Sequence, residues 1–148
     1  MGIGALLFAG ARLASPKPRV FPRGYPHQPR SLGERIRQRR LDLGLTQQNL
    51  AAKLGCWYQS VAGWERDENE PLAGRWPAIE AVLGPGLLPE QDGLPGRIRT
   101  ARLRLGLTQD ELARRTTVDV RTVRNVEVGA HPPSRRTLQK LREIIGSI

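Results

Sequence analysis

The feature that most constrains this chain is a repeat with a period of 62 residues. Residues 32–84 lie over residues 94–146 without a gap, and 17 of the 53 pairs are identical. One run, Leu43-Gly44-Leu45-Thr46-Gln47, returns as Leu105-Gly106-Leu107-Thr108-Gln109, and Leu50-Ala51 returns as Leu112-Ala113. Isolated identities include Ile36/Ile98, Arg40/Arg102, Val61/Val123 and Glu65/Glu127. Chance does not produce this pattern. Each copy carries its own start and stop signals, so the duplication reads as two small domains rather than a solenoid. The expected division is a segment 1–30, a first domain 31–84, a linker 85–93 and a second domain 94–148.

Each copy reads as a string of short helices, and no strand is expected. Leu32, Ile36 and Leu43 keep an apolar stripe along a first helix, which Gly44 ends by accepting a positive φ. Thr46 then places its hydroxyl where a second helix leaves backbone N–H groups unpaired. In the second copy Thr108 and Glu111 form the signature of a capping box. Gly55 permits a tight turn, and Val61 with Trp64 marks a third helix. Ala51 and Ala113 keep the second helix thin where the third must cross it closely. After Pro71 and Pro133 comes a last amphipathic helix, with Trp76, Ile79 and Leu83 in one copy and Leu138, Leu141 and Ile145 in the other. The linker is rich in Pro and Gly, but Leu87 and Leu88 predict that it packs.

Composition narrows the partner. The chain of 148 residues carries a formal net charge of +10, which favours a polyanion but does not by itself separate nucleic acid from an anionic membrane. One cysteine, Cys56, excludes an internal disulfide framework, and with His27 and His131 it makes no metal-ligand set. No cofactor or metal is expected, and the place expected is a reducing cytoplasm, in association with the nucleoid. The apolar run 3–11 is far shorter than the roughly 20 residues of a spanning helix, and its first basic residue, Arg12, follows it rather than preceding it. Between Ser15 and Pro29 stand five prolines with Lys17, Arg19 and Arg23, which reads as a flexible, extended basic arm. Such an arm either keeps the chain soluble or follows a DNA backbone.

The series Ile36, Arg40, Leu43-Gly44-Leu45-Thr46-Gln47, Leu50-Ala51, Gly55, Val61 and Trp64-Glu65 resembles the Cro and phage-repressor (XRE) type of helix-turn-helix protein. The second copy matches through Ile98, Arg102, Leu105 to Gln109, Leu112-Ala113, Val123 and Glu127. The resemblance implies an all-α chain of two tandem compact bundles, each of about five short helices, with helix 3 entering the major groove of double-stranded DNA. Carried over by position, it implies phosphate or base-edge contacts by Gln47 and Gln109. It gives Tyr58, Gln59 and Gly63 the base-facing places on the first helix 3, and Val120, Arg121 and Asn125 those on the second. Gln59 suits adenine, Arg121 suits guanine, and Arg124 suits a phosphate. Arg40 with Glu65, and Arg102 with Glu127, are expected as structural ion pairs linking helix 1 to helix 3. Trp64 and Trp76 read as core, and Cys56 as a small filler.

The copies differ where they would meet DNA. The first has Trp57 in place of a helix cap, Gly63 within helix 3, and a run from Glu65 to Glu70 that contains four acids. The second keeps a cap at Asp119 and carries Arg121 and Arg124, but Thr117 replaces the turn glycine and is expected to be strained. Residues 1–30, 31–84, 85–93 and 94–148 hold charges of +5, 0, −2 and +7, which concentrates the basic charge in the second copy and the N-terminal segment. The expected function is sequence-specific DNA binding by a bacterial or phage-type transcription regulator, acting as a pseudo-dimeric monomer or a weak dimer. The alternative is a DNA-binding adaptor or antitoxin-like protein whose first domain holds a protein partner. No catalytic residues are assigned, since no nucleophile with its base and no carboxylate cluster for a metal is patterned.

Overall fold

The computed structural model describes residues 20–88 and 93–146. The apolar run 3–11, the basic segment up to Arg19 and linker residues 89–92 lie outside the described residues. Among the described residues every regular element is helical. The first unit holds α1 (Leu32–Asp42), α2 (Gln47–Leu54), α3 (Tyr58–Glu65), a 3-10 turn (Ala73–Arg75) and α4 (Trp76–Leu83). The second holds α5 (Leu94–Arg104), α6 (Gln109–Thr116), α7 (Val120–Glu127) and α8 (Arg135–Ile145). Among the described residues each unit has four α-helices, and the first adds a 3-10 turn, in keeping with two tandem all-α bundles of about five short helices.

Local chemistry sets the helix ends. Ser31 and Thr46 accept bonds from the N–H groups of Glu34 and Asn49, and Gly55 closes α2 in the left-handed region at φ 62°. Thr108 and Glu111 form the full capping box at α6, and Ser134 caps α8. The α3 start has no such help, because Trp57 stands at the cap without a side-chain bond. Inward faces then close two cores. Ile36, Leu50, Val61, Trp76 and Ile79 centre the first, and Ile98, Leu112, Val123 and Leu141 the second. Burying each such side chain stabilises the fold by roughly 1.5–3 kcal/mol relative to leaving it in water.

The joint between the units is packed. Leu87 and Leu88, in the described part of the linker, are 1% and 4% exposed and belong to the first core. Leu103 of α5 also belongs to that core, so one helix opens the second unit and helps to close the first. Arg99 pairs with Glu70 at 3.2 Å, and Arg104 with Glu80 at 3.6 Å. Gly106 comes so near α4 that a Cβ there would lie 3.1 Å from Pro77.

The extended-arm reading does not describe residues 21–30. Phe21, Tyr25 and His27 stack mutually, with ring centroids 4.4–5.0 Å apart. The Tyr25 hydroxyl donates to Asp42 at 2.8 Å, the Gln38 amide donates to the Pro26 carbonyl at 2.9 Å, and the Arg30 N–H donates to Glu34 at 2.6 Å. Prolines prevent a ladder here, yet ring packing and the polar side chains of α1 fix the segment without one.

One close approach governs the first bundle. Gly33 in the first turn of α1 is buried, and a Cβ there would sit 2.3 Å from the Trp64 carbonyl oxygen. Gly33→Ala must therefore push α1 off α3. The expected cost is about 1–3 kcal/mol, read as a lower urea midpoint with an unchanged slope.

Candidate nucleic-acid interface

The site is built on a buried ion pair that recurs in both units. In the second, Arg102 Nε and Nη2 donate to the two carboxylate oxygens of Glu127 at 2.6 and 3.0 Å, joining α5 to the end of α7. Arg102 Nη1 donates to the Leu107 carbonyl at 2.6 Å, which pins the turn before α6. The first unit repeats this with Arg40 Nη2 2.9 Å from Glu65 and Nη1 2.6 Å from the Leu45 carbonyl. All four side chains are buried, and each pair ties two helices of its unit together. Burial costs each charge its hydration, and the bidentate geometry with a further carbonyl returns the lost bonds.

Gln47 and Gln109 make bonds other than the phosphate or base-edge contacts that the resemblance implies. The amide nitrogen of Gln109 donates to Glu127 at 2.8 Å, and that of Gln47 donates to Glu65 at 2.8 Å. Each amide thus gives one N–H to a buried carboxylate, and its oxygen takes no part in that bond. In the second unit that oxygen lies 3.5 Å from Arg124 Nε, so the chain Arg102, Glu127, Gln109, Arg124 runs from core to surface. The first unit stops at Gln47, because Ala62 stands at the position of Arg124.

The remaining candidates separate into outward and inward groups. Arg121 and Arg124 are exposed on α7, Asn125 is half-buried, and Val120 is half-buried against the second core. On α3, Gln59 is exposed and Tyr58 is 47% exposed. Gly63 does not join them. It is buried beneath Asn69, whose amide nitrogen lies 2.7 Å from where a Cβ would stand. The α7 N-terminus is capped by its own chain, since the Asp119 carboxylate accepts the Arg121 N–H at 2.8 Å.

The acid run of the first unit has internal partners. Asp67 accepts the Gly33 N–H at 2.9 Å and the Ser31 hydroxyl, which secures the start of α1. Glu68 takes the exposed Arg66 guanidinium at 2.6 Å, and this bond holds the Glu68 carboxyl below its usual range. The Glu111 carboxyl is likewise held low, chiefly by the backbone N–H of Thr108. Burial pushes the Cys56 thiol up, away from nucleophilic use.

Sequence reasoning did not point to Lys140. Its ammonium donates to the Thr117 carbonyl and hydroxyl at 3.2 and 2.8 Å, clasping the turn where Thr117 is held at φ 52°. The signal available was a basic residue 23 positions after an ungainly turn residue, which no local rule connects.

Known proteins were compared with this chain. The model of the family described as "Helix-turn-helix" matches twice, at residues 36–85 and 98–147. One similar protein is the "HTH-type transcriptional regulator DicA" of Escherichia coli (strain K12), 43% identical over 53 residues, or 36% of this chain and 39% of that protein. The chain thus spans well under half the length of that relative. No solved structure matches.

Two outcomes test the site's construction. Glu127→Ala leaves Arg102 buried without its partner and is expected to cost about 3–5 kcal/mol, measured by urea unfolding of the full chain. Thr117→Gly removes the strain of a left-handed threonine and is expected to gain up to about 1 kcal/mol, whereas Gly55→Thr loses about 1–2 kcal/mol.

Proposed function

The chain belongs to the XRE-type helix-turn-helix family, and from that premise we propose that it is a non-enzymatic transcription regulator that binds double-stranded DNA sequence-specifically in the cytoplasm. In this reading α7 enters a major groove. Arg121 reads a base edge, most readily the O6/N7 edge of guanine, while Arg124 meets a phosphate. The observation that carries the proposal is the chain of bonds from Arg102 through Glu127 and Gln109 to Arg124, which fixes an outward cation to the core. The name of the similar Escherichia coli protein, a transcriptional regulator, supports the same class.

The two units have unequal roles in this reading. Residues 94–148 carry +7 and residues 31–84 carry 0, so the second unit supplies the electrostatic grip. The first contributes Tyr58 and Gln59 from α3, with Gln59 placed for an adenine edge. The packed joint gives the units a set relation, so one chain serves two half-sites on one face of the duplex. An adaptor reading, in which the first unit holds a protein partner, draws support from Trp57 and Leu72, 80% and 77% exposed beside a groove that Cys56 and Trp64 also line.

Selection of bound sequences from a random duplex pool, with the full chain and point variants, tests this function. Arg121→Ala is expected to relax one position and cost about 1–3 kcal/mol of discrimination. Arg124→Ala should weaken all sequences alike and lower the salt slope by about 1. Gln59→Ala should relax a second, separate position, and a selected site indifferent to it would leave DNA to the second unit and favour the adaptor reading.

A further inference from the structure

The contact between the two units is not symmetric. It pairs the outer face of α4 with the outer face of α5, and these are different helices of the repeat. Such a heterologous contact leaves a counterpart of each face elsewhere in the same chain. Under the 62-residue shift the counterpart of the α5 face lies on α1, and the counterpart of the α4 face lies on α8.

The two remaining faces complement each other. Arg104 of α5 meets Glu80 of α4, whereas their counterparts are Asp42 on α1 and Arg142 on α8, the same pair with its signs exchanged. Leu103 corresponds to Leu41, which is half-buried, and Trp76 corresponds to Leu138, half-buried at the edge of a shallow groove shared with Arg142. Gly106 touches Pro77, while its counterpart Gly44 has open space where a Cβ would go. The other ion pair, Arg99 with Glu70, has no equivalent, since Pro132 stands at the position of Glu70. Because the signs are reversed, α8 attracts α1 but repels the α5 face of another copy, where Arg104 would confront Arg142.

Residues 20–30 occupy this α1 face. Tyr25 bonds Asp42, Pro26 bonds Gln38, and a Cβ at Gly24 would lie 2.7 Å from the Arg37 guanidinium. Asp42, Gln38 and Arg37 are the counterparts of Arg104, Thr100 and Arg99, all of which lie at the joint between the units. We propose that α1 carries a docking face for α8 of a second copy, built head to tail like the contact between α4 and α5, and that residues 20–30 hold it closed. Displacing the segment exposes the face on which Asp42 meets Arg142 of the next chain, and the polarity of the contact permits continued addition.

Sedimentation velocity of the full chain over a range of concentrations, without DNA, tests the proposal. The parent chain is expected to remain a single copy. Phe21→Ser with Tyr25→Ala loosens the segment, and because both rings lie outside the two cores the helical content by circular dichroism should not change. This variant is expected at least to double in mass as concentration rises. Adding Arg142→Asp should return it to one copy, and adding Asp42→Arg as well should restore association. A loosened variant that stays single, association indifferent to Arg142→Asp, or equal association of the parent chain would overturn the proposal.

Discussion

Everything in each unit hangs on an arginine and a glutamate taken out of water together. An isolated buried charge costs several kcal/mol, so such a pair persists only when its remaining polar atoms are also satisfied. Here they are. The guanidinium of Arg102 gives two bonds to Glu127 and one to the Leu107 carbonyl, and Glu127 takes another from Gln109. These bonds join helix 1, the turn before helix 2, the first residue of helix 2 and the last of helix 3. No rotation of α7 leaves all of them intact. The placement of α7, which carries Arg121 and Arg124 outward, is therefore set from within the core, and the proposed reading surface would be in place before any ligand arrives.

The two copies show how narrow that requirement is. Only 17 of 53 aligned pairs are identical, yet arginine, glutamate and glutamine stand in both copies with the same bonds. The surroundings diverged instead. Where the second copy places Asp119 at the cap and Arg124 beside glutamine, the first has Trp57 and Ala62. Its acids have gone into structure, with Asp67 capping α1 and Glu70 reaching α5. Read as a row of charges they repel DNA. Read with their partners they join α1 to α3 and one unit to the next.

This difference marks what is legible in a sequence. Helix starts at Ser31, Thr46 and Thr108, and stops at Gly44 and Gly55, depend on neighbours within a few residues, and they appear where spacing places them. The ion pairs span 25 residues, a distance no local rule bridges, and the family resemblance is what implies them. The direction of Gln109 is not legible, since an amide at a helix start has the same spacing whether it points out to a phosphate or in to Glu127. Gly63 fails for a similar reason: its burial depends on Asn69 folding back over α3. The fastening of residues 21–30 rests on rings meeting the far end of α1, and prolines alone suggest the opposite.

The packed joint changes what the weak first unit can contribute. On a slack tether, a neutral unit would gain a modest effective concentration at every spacing its linker reached. Leu87 and Leu88, which precede the rest of the connection, and Leu103 beyond it are all buried in the first core, which takes up part of that slack. Its local concentration is then high at one separation and falls toward zero at others. Under the proposed two-site binding, discrimination would pass from the contacts of α3, which has no cation to offer, to the distance and helical phase between two DNA elements. Under that same two-site binding, a unit of zero net charge would sharpen selection without adding the sequence-independent phosphate affinity that a second basic unit would bring.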